Sequence, residues 1–73
     1  MTLTDLSPGE TGIILNIEAD TIISNRLREL GLLDGIAVRM VKRAPLKGPV
    51  EIKIHHSYLS IRWDDAQTIR LQS

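Results

Sequence analysis

Between residues 12 and 18 apolar side chains recur at every second position, with Ile13, Leu15 and Ile17 on one face and Ile14 and Asn16 on the other. That period of two predicts a strand. In "DTIISNRLREL" the period changes, because Ile23, Leu27 and Leu30 fall at i, i+4 and i+7 while Arg26, Arg28 and Glu29 occupy other directions. This predicts a short amphipathic helix, with Asp20 or Ser24 as its N-cap. Gly31 is the expected stop, placing Leu32 against Leu27 in a Schellman-type contact. A turn at 33–35 ending in Gly35 precedes a second strand, in which Val38 and Met40 alternate with Arg39 and Val41 as far as about Arg43. "VEIKIHH" gives the clearest alternation, with Val50, Ile52 and Ile54 set against Glu51, Lys53 and His55. "YLSIRW" follows with Leu59 and Ile61 as its inward pair, and "TIRLQ" is a short closing strand.

The punctuation between these segments supports the same division. "SPGE" at 7–10 is a turn, since Pro8 presets φ and Gly9 accepts positive φ. "APLKGP" at 44–49 holds two prolines and a glycine, so it reads as the irregular tip of a hairpin. "DDAQ" reads as one helical turn opened by an acidic cap. Several short strands, strong turns and one small helix imply a mainly β fold, a barrel or sandwich of about five strands whose closure removes exposed edges.

Composition adds three constraints. At 73 residues, 42% hydrophobic and 25% charged, the chain reads as a single domain over 1–73 with a small core. The absence of cysteine removes disulfides, thiolate metal sites and cysteine nucleophiles, leaving aliphatic packing to hold the fold. No apolar run approaches the ~18 residues of a membrane span, and "MTLTDLSPGE" carries acids where a secretory signal carries Lys and Arg, so a cytoplasmic protein without membrane insertion is expected. Nine basic residues balance nine acidic ones, which argues against general nucleic-acid binding. The charges are polarised nevertheless. Residues 1–25 carry Asp5, Glu10, Glu18 and Asp20 without Lys or Arg, whereas 39–53 carry Arg39, Lys42, Arg43, Lys47 and Lys53 against Glu51.

Candidate chemistry is sparse. No Ser, His and Asp set stands in a motif context, HExxH is absent, and "LKGPV" lacks the order and spacing of a phosphate-binding loop. The expectation is a protein that is not an enzyme, with no catalytic residues and no cofactor. His55 and His56 invite a metal reading, but adjacent strand residues point to opposite faces unless a turn intervenes, so no metal ligands are assigned. Asp64 and Asp65 are read as the acidic cap rather than a carboxylate site. A basic face for nucleic acid would need aromatic stacking, and Tyr58 and Trp63 are the only aromatic residues. The loop is the stronger candidate, because a proline-stiffened tip needs little ordering to dock. Pro45, Leu46, Lys47 and Pro49, with Tyr58, are the candidate partner-binding residues, and Gly31 and Gly35 the structural turns.

"RLRELGLLDGIAVRMVKRAPLKGPVEIKI", followed by "LSIRWDDAQTI" and preceded by "LSPGETGII", closely resembles the FeoA family, the small cytosolic component of bacterial ferrous iron uptake. The matching positions are Arg26 and Leu27, Leu30 and Gly31, Gly35 and Val38, Ala44, Pro45 and Pro49, then Ile61, Arg62, Asp65 and Ala66. Asp34 stands where the family often has proline, His56 where glycine is frequent, and Ile61 where leucine is usual. The resemblance implies an SH3-like barrel with an inserted helix, a non-catalytic accessory or regulator of the membrane GTPase-permease FeoB. Weak self-association stays open. The alternatives are a regulatory module related to the C-terminal domain of iron-dependent repressors, although no helix-turn-helix is read in this chain, or a small barrel that binds metal or nucleic acid directly.

Overall fold

The computed structural model describes residues 1–72. Its five antiparallel strands are β1 (Thr11–Ile17), β2 (Ala37–Arg43), β3 (Val50–Ile54), β4 (Ser57–Ile61) and β5 (Ile69–Leu71), in the order β4-β3-β2-β1-β5. The helix α1 (Thr21–Glu29) lies between β1 and β2, and a single turn of helix, α2 (Trp63–Ala66), between β4 and β5. A 3-10 helix over Leu3–Asp5 opens the chain. It was not apparent from periodicity, because three residues are too few to show a period. Its neighbourhood still supplies two core side chains, Leu3 and Leu6.

The strict alternation expected for β1 does not hold. Its register against β5 shifts between Ile14 and Asn16, so Ile14 is fully buried and Leu15 is 48% exposed. The stripe of Ile13, Leu15 and Ile17 is therefore replaced by Ile14 and Ile17. A bulge places two residues opposite one and turns the strand, which a pattern of period two cannot anticipate. A second irregularity lies between Met40 and Lys42 in β2. Together the two bulges bend the sheet around one aliphatic core, to which β2 contributes Val38 and Met40 and β3 contributes Val50, Ile52 and Ile54.

The helix behaves as its sequence suggests at both ends. Asp20 is the N-cap, its Oδ1 accepting from the Ile23 amide at 2.9 Å. At the C-terminal end the Leu32 amide donates to Leu27 O at 3.2 Å and the Gly31 amide to Arg28 O at 2.9 Å, the paired bonds of a Schellman motif. Gly31 has φ +100, and a Cβ there would meet Ile54 Cδ1 at 3.1 Å. Leu27 and Leu32 are buried, but Leu30, expected on the same face, is 45% exposed because the helix ends before its turn closes on the core. Gly35, at φ +86, completes a turn in which the Ile36 amide donates to Leu33 O at 3.1 Å.

The acidic cap expected for "DDAQ" is not present. The N-cap of α2 is Arg62, with no side-chain cap bond, and Asp65 is directed away to an ion pair with Arg26 on α1. Full closure of the sheet is not seen either, since β4 and β5 are not paired with each other. The outer edge of β5 is covered by a Thr2–Arg70 bridge and by the Leu71 amide donating to Met1 O at 2.9 Å. Among the described residues no strand pairs with the outer edge of β4.

Candidate functional site

The connection between β2 and β3 is a tight turn built from unfavourable residue types. The Gly48 amide donates to Pro45 O at 3.1 Å, and the Ala44 amide to Pro49 O at 3.1 Å, one rung beyond the Arg43–Val50 pair. The two central residues, Leu46 and Lys47, have φ of 59° and 57°, the signature of a type I′ turn. Such turns favour Asn-Gly, and a side chain held in this left-handed region costs roughly 1–2 kcal/mol per residue. Gly48 is required by crowding, since a Cβ would lie 2.8 Å from Ala44 Cβ and 3.1 Å from Pro45 O. The turn lifts Leu46 clear of the surface, where it is 99% exposed. A rigid tip thus presents an apolar side chain to solvent without any internal contact that offsets its strain.

Pro45, Leu46, Lys47 and Pro49 are accordingly gathered in one feature. Tyr58 is not brought to it. Tyr58 pairs with Lys53, three rungs along the β3–β4 ladder from the Val50–Ile61 pair that adjoins the loop, a separation of about 10 Å. It is 60% exposed, and Lys53 Nζ lies 5.5 Å from its ring centroid. The two histidines occupy the two-residue turn joining β3 to β4, so His55 is not on the strand face with Glu51 and Lys53 as its alternation suggested. His55 takes φ 51, and both histidines are exposed. Among the described residues no group of three or more His, Asp or Glu is placed to hold a metal ion.

Charged and aromatic side chains near the loop form a further cluster that chain order did not reveal. A cleft of about 250 Å³ is lined by Lys47, Gly48, Pro49, Arg62, Trp63 and Asp64. A second, of about 240 Å³, is lined by Lys42, Ala44, Pro49, Glu51 and Ser60. Pro49 borders both. The Arg43 guanidinium stands 5.3 Å from the centroid of the Trp63 ring, covering one face of the indole, while its Nη1 reaches Leu6 O at 3.5 Å. Arg62 and Trp63 lie 13 or more positions from the loop in sequence and join it only because β4 runs back alongside β3.

Ion pairing divides the surface. Arg26, Arg28 and Arg70 pair with Asp65, Asp34 and Glu18, and among the described residues the other cations, Arg39, Lys42, Arg43, Lys47, Lys53 and Arg62, have no carboxylate within 4.0 Å. All of them lie on β2, the hairpin, β3 or directly after β4. Arg39 and Lys53 are register partners, a like-charge juxtaposition that costs stability in a sheet.

The whole described chain matches known proteins. The family model of the FeoA domain covers residues 1–73. A Fe(2+) transport protein A/Fe(2+) transporter FeoB fusion protein of Porphyromonas gingivalis is 31% identical over 72 residues, which span 99% of this chain and 8% of the fusion protein. A putative Fe(2+) transport protein A of Campylobacter jejuni is 27% identical over 97% of this chain and 96% of its own length. Among solved structures, Stenotrophomonas maltophilia FeoA in complex with zinc, described as a procaryotic SH3 domain protein, superposes with TM-score 0.86 at 28% identity, covering 99% of this chain and 89% of that one. A manganese-dependent transcriptional repressor matches with TM-score 0.90 at 20% identity over 99% of this chain and 35% of that one, a likeness of fold alone. The open barrel of five strands is thus an SH3-like fold, and the chain belongs to the FeoA family.

Proposed function

We propose that this protein is a non-catalytic accessory of ferrous iron uptake, working on the cytoplasmic side by contact with the membrane transporter FeoB. The observation that carries this reading is the Porphyromonas fusion protein, in which a region matching 99% of this chain is part of one polypeptide with an Fe(2+) transporter FeoB. Covalent joining keeps the two parts at high effective concentration, which is useful where they act in contact. The hairpin tip supports the same reading, because Leu46 is held rigid and fully exposed, ready to bury itself against a partner. No helix among the described residues is long and apolar enough to cross a membrane.

Docking of this kind regulates through differential affinity. A domain that binds one conformation of the transporter more tightly than another shifts the population between them, and no bond need be made or broken. The reading of the chain as a repressor-type regulatory module has only the shared fold behind it. Co-purification of the tagged protein with FeoB, combined with ferrous iron uptake in a deletion strain, tests the proposal. Retention of FeoB and altered uptake are expected. Absence of both overturns it.

A further inference from the structure

We infer that the cleft running past Pro49, from Lys42 and Ser60 on the sheet face to Lys47, Arg62 and Trp63 beside the hairpin, receives an acidic, extended segment of the partner protein. The inference rests on the docking reading above and adds the chemistry of what is docked.

Charge complementarity selects the occupant. Among the described residues, Lys42, Lys47 and Arg62 line the two clefts without a carboxylate within 4.0 Å, and Arg43 stands over the Trp63 ring beside them, against Glu51 and Asp64 in the lining. Those two carboxylates line the two clefts, one in each. Their presence disfavours a ligand with one negative charge at every step, such as a nucleic-acid backbone, and suits a peptide whose carboxylates are spaced. Nucleic acid is further disfavoured because Tyr58 lies three rungs along the ladder from the hairpin end, so Trp63 is the one aromatic residue lining the clefts and no pair of stacking platforms is offered there. An anionic bilayer would be met by one protruding apolar side chain, Leu46, which gives little insertion energy.

The cleft also fits an extended chain. Pro49 borders both clefts, of about 250 and 240 Å³, so an extended segment seated in one can continue past Pro49 into the other. Arg62 offers a forked donor set to one carboxylate and Lys47 a point charge to the next. Trp63 gives the peptide a flat apolar wall between them. Arg43, held over the indole, keeps that wall in place and adds to the local positive field.

Trp63 is the only tryptophan, so its fluorescence reads this cleft directly. The full chain is titrated with a synthetic Glu/Ser peptide of about eight residues and, separately, with a Lys/Ser peptide, an RNA oligonucleotide and anionic phosphatidylserine vesicles. The acidic peptide should give a saturable change that weakens as salt is raised. Lys47→Glu with Arg62→Glu should weaken it about tenfold or more, while Arg28→Glu, on the helix, should leave it unchanged. Circular dichroism and thermal melting establish that each variant is folded. No response to the acidic peptide, an equal response to the basic one, indifference to the charge reversals, or binding of RNA or vesicles in its place overturns the inference. The same variants are then tested against the cytoplasmic part of FeoB. Undiminished binding there removes the acidic-segment assignment and leaves docking intact, whereas no binding by the unaltered chain removes docking itself.

Discussion

Arg26 Nη2 on α1 lies 2.7 Å from Asp65 Oδ2 on α2, joining two helices that are 39 positions apart in sequence. The pair is unequal, since the Arg26 side chain is 52% exposed and that of Asp65 only 10%. Removal of Asp65 leaves a guanidinium that water can solvate. Removal of Arg26 leaves a carboxylate that water reaches poorly, and an unpaired buried acceptor costs more than the bond itself contributes. Arg26→Ala should therefore destabilise the fold by about 2 kcal/mol and Asp65→Ala by about 1 kcal/mol. Chemical denaturation of the two variants checks the order, and a larger loss for Asp65→Ala would refute it.

The glycines at 9 and 31 separate two costs. Both have positive φ, but nothing lies within 4 Å of a Cβ at Gly9, whereas one at Gly31 meets Ile54. Gly9→Ala should cost roughly 1 kcal/mol from backbone strain alone. Gly31→Val adds side-chain crowding and should cost roughly 2–3 kcal/mol. In a domain of this size that difference corresponds to about 5 °C or more in Tm.

The hairpin turn should be improvable at the expense of its role. Leu46→Asn with Lys47→Gly gives the residue types that a type I′ turn favours and should raise stability by about 1 kcal/mol. The same change removes the exposed leucine and a cation, so binding to FeoB should weaken as Tm rises. A variant that is both more stable and equally well bound would show that the tip is not a contact.

The bulge in β1 makes neighbouring residues behave differently. Ile14→Ala should cost about 3 kcal/mol as a core truncation, while Leu15→Ala should change stability by less than about 0.5 kcal/mol. Thermal melts suffice to decide between this and the opposite order that simple alternation implies.

His55 and His56 should not matter for metal affinity. They share a turn without a third ligand placed nearby among the described residues, so His55→Ala should leave the affinity for Fe(II) or Zn(II) unchanged by calorimetry. A clear loss would locate a ligand there.

Elements whose signals are local were legible in the sequence. The Asp20 cap, the Gly31 stop with its Leu27–Leu32 closure, the turn at Gly35 and the alternation of β3 each depend on a few adjacent residues, and each is found in place. Features that depend on which strands meet were not. The bulge at Leu15 is imposed by pairing with β5, more than 50 positions away in sequence. Asp65 had a sufficient local explanation as a cap, and only the fold, which brings Arg26 to it from 39 positions away, makes the two partners. The loop residues 45–49 form one tip because they are contiguous, whereas joining Tyr58 to them required a distance that chain order does not contain. Arg62 and Trp63 were missed as neighbours of Lys47 for the same reason.

The irregular rungs of β1 and β2 also protect the fold from its own near-misses. In a smooth ladder of aliphatic residues a strand can slide by two positions and still bury the same face. Here β1 carries its extra residue towards β5 and β2 carries its own towards β3. Any slip moves an extra residue out of the gap that accommodates it and breaks the pairing on that flank. The two central strands are keyed on both flanks, so a chain without disulfides and with a small aliphatic core keeps one pairing among several that its composition alone would allow.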